Sequence, residues 1–83
     1  MKYTVEERME DLMDELTWEI NYRLSNIYDL YEIDTYEIMD AIADDHMDGW
    51  MKDFGFDDEM IWNTGLDIAD RLVAEKMVDL RVA

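Results

Sequence analysis

Ile33-Asp34-Thr35-Tyr36-Glu37-Ile38 opens the stretch that decides the fold, and it runs on through Met39-Asp40-Ala41-Ile42-Ala43-Asp44 to a glycine at position 55. Asp34 is placed as a helix cap, Glu37 follows three residues later, and Ile33 and Ile38 flank them as a hydrophobic staple. Ile38, Met39, Ile42, Ala43, Trp50 and Phe54 then recur on one side of a helix, while Glu37, Asp40, Asp44 and Asp48 fall together on the other. The pattern predicts an amphipathic helix that stops at Gly55.

Working outward, Thr4 with Glu7 three residues on gives the start of an earlier helix. Val5, Met9, Leu12, Met13, Leu16, Ile20, Leu24, Ile27 and Tyr31 form its apolar stripe. Unbroken to Tyr31, it is 27 residues long, or about 40 Å at the helical rise, with Ser25-Asn26 as the place for a kink. A third helix starts after Asp57, with Phe56 and Ile61 as a second staple, or later at Asn63-Thr64. Leu66, Ile68, Ala69, Leu72, Val73, Met77 and Leu80 supply its buried face. No segment alternates as a strand does, and there is no proline. These readings predict one all-α domain over residues 1–83, a small bundle of three main helices.

Charge is the second deciding feature. The chain carries 23 Asp and Glu against seven Lys and Arg, a net charge of −16. Residues 1–59 hold 19 of the acids and four of the bases, so the acidic surface is assigned to the first two helices. Such self-repulsion works against the compact state and points to a use beyond solubility.

Composition narrows the function classes. Without cysteine there is neither a disulfide nor a thiolate metal site. The N-terminal residues hold no apolar run of signal or membrane length, which gives the expectation of a cytoplasmic location and no membrane partner. Neither a basic patch nor a phosphate-cradling glycine loop is present, so direct nucleic-acid binding is not expected. Asp44, Asp48 and Gly49 fit part of a calcium loop, but His46 and Gly55 stand at its third and twelfth positions, where ligands are needed. A di-metal carboxylate site needs paired Glu-x-x-His motifs, and the chain has one histidine. His46 reads as a boundary residue of the second helix beside Ile42 and Trp50. No catalytic residue, metal or cofactor is assigned, and the chain is not expected to be an enzyme. Arg23 interrupts the first apolar stripe, and the expectation is that it pairs with an inward acid such as Asp53 or Asp79.

The candidate contact surface follows from the first helix. Its polar side carries Glu7, Glu10, Asp11, Asp14, Glu15 and Asp29, together with Trp18 and Tyr22, two aromatics with no core role. Aromatics set among polar groups are a common mark of an interface. Residues three or four apart on a helix lie roughly 5–6 Å from one another. A DNA strand carries a charge about every 3.4 Å, so one acidic helix is too sparse to copy it, while two side by side approach its density.

Asp34-Thr35-Tyr36-Glu37-Ile38-Met39-Asp40-Ala41-Ile42 also resembles a segment of the phage T7-type anti-restriction DNA mimics, the Ocr family, which reads Asp-Thr, two acids, Leu, one residue, then Asp-Ala-Ile. Ala43-Asp44, Trp50 and Asp53-Phe54 are similar to the continuation of that family's helix. The match spans about a quarter of the chain. The resemblance implies an acidic helical protein, often dimeric, whose carboxylates take the place of DNA phosphates and block host restriction enzymes. By position it makes Asp34, Glu37, Asp40, Asp44 and Asp53 phosphate mimics, although Asp34 is equally a helix cap. The expected function is inhibition of a host defence complex, a restriction enzyme or CRISPR effector, through its DNA-binding groove. The location would then be the host cytoplasm and the partner a DNA-binding protein or nuclease complex. The alternative expectation is a small adaptor or regulatory subunit that binds through Trp18 and Tyr22.

Overall fold

The computed structural model describes residues 3–26 and 33–82, with side chains as far as Met77. It consists of three helices, α1 (Val5–Leu24), α2 (Thr35–Phe54) and α3 (Asp58–Val82). The described residues contain no strand.

Each helix start is set by a local side chain. The Thr4 hydroxyl accepts from Glu7 N–H at 3.1 Å and donates to the Glu7 carboxylate, so the capping box closes on the hydroxyl in place of the backbone N–H. Asp34 accepts from Tyr36 N–H at 2.9 Å, and Asp57 accepts from Met60 N–H at 2.8 Å. The Asp57 cap settles the start of α3, which does not wait for Asn63-Thr64.

Helix ends are set from further away. α1 stops at Leu24 and does not continue to Tyr31. The Ser25 hydroxyl and Asn26 amide both donate to the Tyr22 carbonyl, at 2.7 and 3.0 Å, and the Lys76 ammonium of α3 donates to the Leu24 carbonyl at 3.3 Å. Ile27 and Tyr31, expected in the stripe, lie outside the described residues, as does the side chain of Leu80. α2 ends at Gly55 with φ 74°, the left-handed geometry that glycine adopts without a Cβ clash. Arg8, from the first turns of α1, donates to the Phe54 carbonyl at 2.8 Å and lies 5.5 Å over the Phe56 ring. A cationic side chain thus takes an orphan carbonyl at the end of both α1 and α2.

These contacts give the topology. Arg8 meets the end of α2, and Glu19 meets His46 in its middle, so α1 and α2 run antiparallel. Gly65 sits against Leu16, and Lys76 reaches Leu24, so α1 and α3 run in the same direction. The bundle is therefore up-down-up.

The core is the meeting of three stripes. Leu12, Leu16, Ile20 and Leu24 are buried at every fourth position of α1; Ile38, Met39, Ile42, Trp50 and Phe54 come from α2, and Ile61, Ile68 and Ala69 from α3. Burying each such Leu or Ile contributes roughly 1.5–3 kcal/mol. Val5, expected in the stripe, is instead exposed, because it precedes the turn of α1 at which α2 ends. Gly65 is buried mid-helix because α3 comes so close to its neighbours there. A Cβ would stand 2.3 Å from Met39 Sδ and 3.3 Å from Leu16 Cδ2.

Candidate functional site

The outward side of α1 is built by the same spacing that builds the core. With Leu12, Leu16 and Ile20 directed inward, Glu7, Asp11, Asp14, Glu15, Trp18 and Tyr22 project to solvent, and all six are exposed. Trp18 is 63% and Tyr22 57% exposed. The i, i+4 relation lays one ring beside the other, with centroids 5.5 Å apart and planes 8° from parallel. Asp11, Asp14, Glu15 and Trp18 line a shallow cleft closed by Phe54 at the end of α2. On the other side of the stack, Tyr22, Arg23 and Asn26 line a second groove with Glu37, Ile38 and Ala41 of α2. The aromatic pair is therefore the bridge between the acids of α1 and the first acid of α2.

Asp11 also accepts a hydrogen bond from the Tyr3 hydroxyl. That bond to a carboxylate, with burial and the charges of Asp11 and Glu7 adding to it, pushes the Tyr3 phenol up to about 12.

Not every expected residue joins this surface. Glu10 is exposed, but it lines neither the cleft nor the groove. Asp40, Asp48 and Asp53 are likewise exposed on α2 outside both. Asp44 faces α3, where it shares a separate groove with Ala43, Met47, Asp58, Glu59 and Trp62. Asp29 lies outside the described residues. The first turn of α3 therefore contributes acids to the surface, a correction to its assignment to the first two helices alone. Nothing in the local sequence pattern marks Asp58 and Glu59 as neighbours of Asp44.

Between α1 and α2 lies a polar seam that sequence reasoning did not find. Arg23 pairs with Asp45 at 3.3 Å and with Glu19 at 3.9 Å, and His46 Nε2 lies 3.1 Å from Glu19. His46 stacks on Trp50 with centroids 4.8 Å apart, as a boundary residue does. The expected partners of Arg23 are not the observed ones. Antiparallel packing sets the end of α1 beside Asp45, and Asp53 is eight residues, about 12 Å, further along α2. Asp79 falls among residues whose side chains are not described.

Three of the described bases, Arg8, Arg23 and Lys76, have structural duties. Arg8 and Lys76 take helix-end carbonyls, and Arg23 pairs within the seam. Among the described residues, Glu19 and Asp45 are the acids with an ion-pair partner within 4 Å, and no carboxylate of the Asp11, Asp14 and Glu15 cleft has one. No group of three His, Asp or Glu among the described residues is arranged to hold a metal ion, and no helix among them is long and apolar enough to cross a membrane. Comparison with protein-family models, with curated proteins and with solved structures finds no match.

Proposed function

We propose that this chain is a DNA-mimic inhibitor whose carboxylates occupy the DNA-binding groove of a host defence complex, a restriction enzyme or CRISPR effector. The observation that carries the reading is that, among the described residues, no carboxylate of the Asp11, Asp14 and Glu15 cleft has an ion-pair partner within 4 Å. The described bases that make defined contacts are held at helix ends and in the α1–α2 seam, so the cleft carboxylates are left without neutralising partners. A surface at net −16 that leaves its acids unpaired sacrifices stability and gains a negative potential able to compete for a phosphate-binding groove. The resemblance of residues 34–54 to the Ocr family supports the same reading and makes Glu37, Asp40, Asp44 and Asp53 further phosphate mimics, Asp44 from the separate groove against α3.

A second reading, an adaptor or regulatory subunit, is favoured by the exposure of Trp18 and Tyr22. Capture of partners from a bacterial lysate at low salt, with and without duplex DNA, separates the two. The mimic reading expects a DNA-binding complex that added duplex displaces. A partner retained in excess duplex, and lost on changing Trp18 and Tyr22 to alanine, belongs to the adaptor.

A further inference from the structure

Charge mimicry leaves one feature of the surface without a purpose, the stacked pair of rings at its centre. Large aromatics are costly to expose, and phosphate imitation needs only carboxylates. The two rings lie within 8° of parallel, so each restrains the other and a partner does not have to order them. Asp11, Asp14 and Glu15 share the cleft with Trp18. A second copy of this chain would bring another net −16 against the same face, and an anionic ligand would meet the same repulsion. The complementary occupant is a cation with an apolar, planar surface.

We propose that Trp18 and Tyr22 form an arginine-selective platform, on which guanidinium groups of a basic protein segment stack while the cleft carboxylates accept their N–H bonds. This rests on the reading of the acidic surface as a partner-binding one and names the cation it selects. Guanidinium is planar and weakly hydrated, and it carries five donors in a fork that suits carboxylates. The lysine ammonium is a compact, strongly hydrated point charge, which loses more on desolvation against a ring. Carboxylates alone favour guanidinium only through that fork; an aromatic platform adds a larger preference that goes with the rings.

The test is calorimetric titration of octa-arginine and octa-lysine into the full chain at moderate salt, repeated with the Trp18→Ala/Tyr22→Ala variant. Both rings are largely exposed, so the variant keeps the fold, and circular dichroism checks that it does. Wild type is expected to prefer octa-arginine by roughly five- to thirty-fold. The variant should lose most of that preference while keeping its octa-lysine affinity. Equal affinities in wild type, or a preference that survives undiminished in the variant, overturn the platform and leave charge mimicry standing. If neither peptide binds, both the platform and the charge-mimicry reading are overturned. Sedimentation of wild type as a dimer that the variant dissolves assigns the rings to a second copy, and also overturns the platform.

Discussion

Replacing Gly55 with alanine should destabilise the bundle, and the same change at Gly49 should stabilise it. Gly55 has φ 74°, and an L side chain in the left-handed region costs roughly 1–2 kcal/mol. The added Cβ would also stand 2.6 Å from Arg8 Nη1, the atom that donates to the Phe54 carbonyl. A hydrogen bond from a charged group contributes about 1.5–3 kcal/mol, of which part is lost as Arg8 is displaced. Gly55→Ala is thus expected to cost about 2 kcal/mol, which lowers the melting temperature by roughly 10 °C in a domain of this size. Gly49 lies inside α2 with nothing within 4 Å of a Cβ, so alanine there recovers the helix-propensity deficit of glycine, about 1 kcal/mol. Thermal and urea unfolding followed by circular dichroism measure both variants. Gly55→Ala at or above wild-type stability, or Gly49→Ala below it, would refute the reasoning about the α2 end.

At Gly65 the methyl must displace the fully buried Met39, so Gly65→Ala is expected to lower stability by about 1 kcal/mol net of the helix-propensity gain, as urea unfolding would register. Melting temperature should rise between low and moderate salt as repulsion among the unpaired carboxylates is screened, and Asp11→Asn/Asp14→Asn/Glu15→Gln should flatten that rise; an equally steep rise in the variant places the repulsion elsewhere. Tyr3 retains its proton until about pH 12, so ultraviolet phenolate titration should show a late component that Tyr3→Phe removes. The folded-state value is raised, so the stability contributed by the Tyr3–Asp11 bond is present through neutral pH and is lost as pH rises through the upper end of the tyrosine range.

How far the sequence could be read depended on the range of the interactions involved. The starts of α1 and α2 were legible because Thr4 and Asp34 act on N–H groups two or three residues away, whereas the start of α3 stayed open between Asp57 and Asn63-Thr64 until the Asp57 cap decided it. Gly55 was legible because a glycine after the last apolar residue of the stripe is itself a local stop signal. The end of α1 was legible only as a kink at Ser25-Asn26, because apolar residues continue to Tyr31 and one group that terminates the helix, Lys76, lies 52 residues downstream. The partner of Arg23 depends on the antiparallel register, which no local pattern encodes. The exposed aromatic pair could be read from period alone, since Trp18 and Tyr22 fall opposite Leu12, Leu16 and Ile20. The grouping of Asp44 with Asp58 and Glu59 could not, because it forms only where α3 folds back along α2.

Whether the carboxylates stand in for phosphates is decided by the salt dependence of binding to the captured DNA-binding complex, with duplex DNA as competitor. Phosphate mimicry gives competitive displacement and an affinity that falls at least tenfold between about 50 and 200 mM salt, as it does for proteins that contact several phosphates. An affinity flat across that range and indifferent to duplex DNA would contradict it.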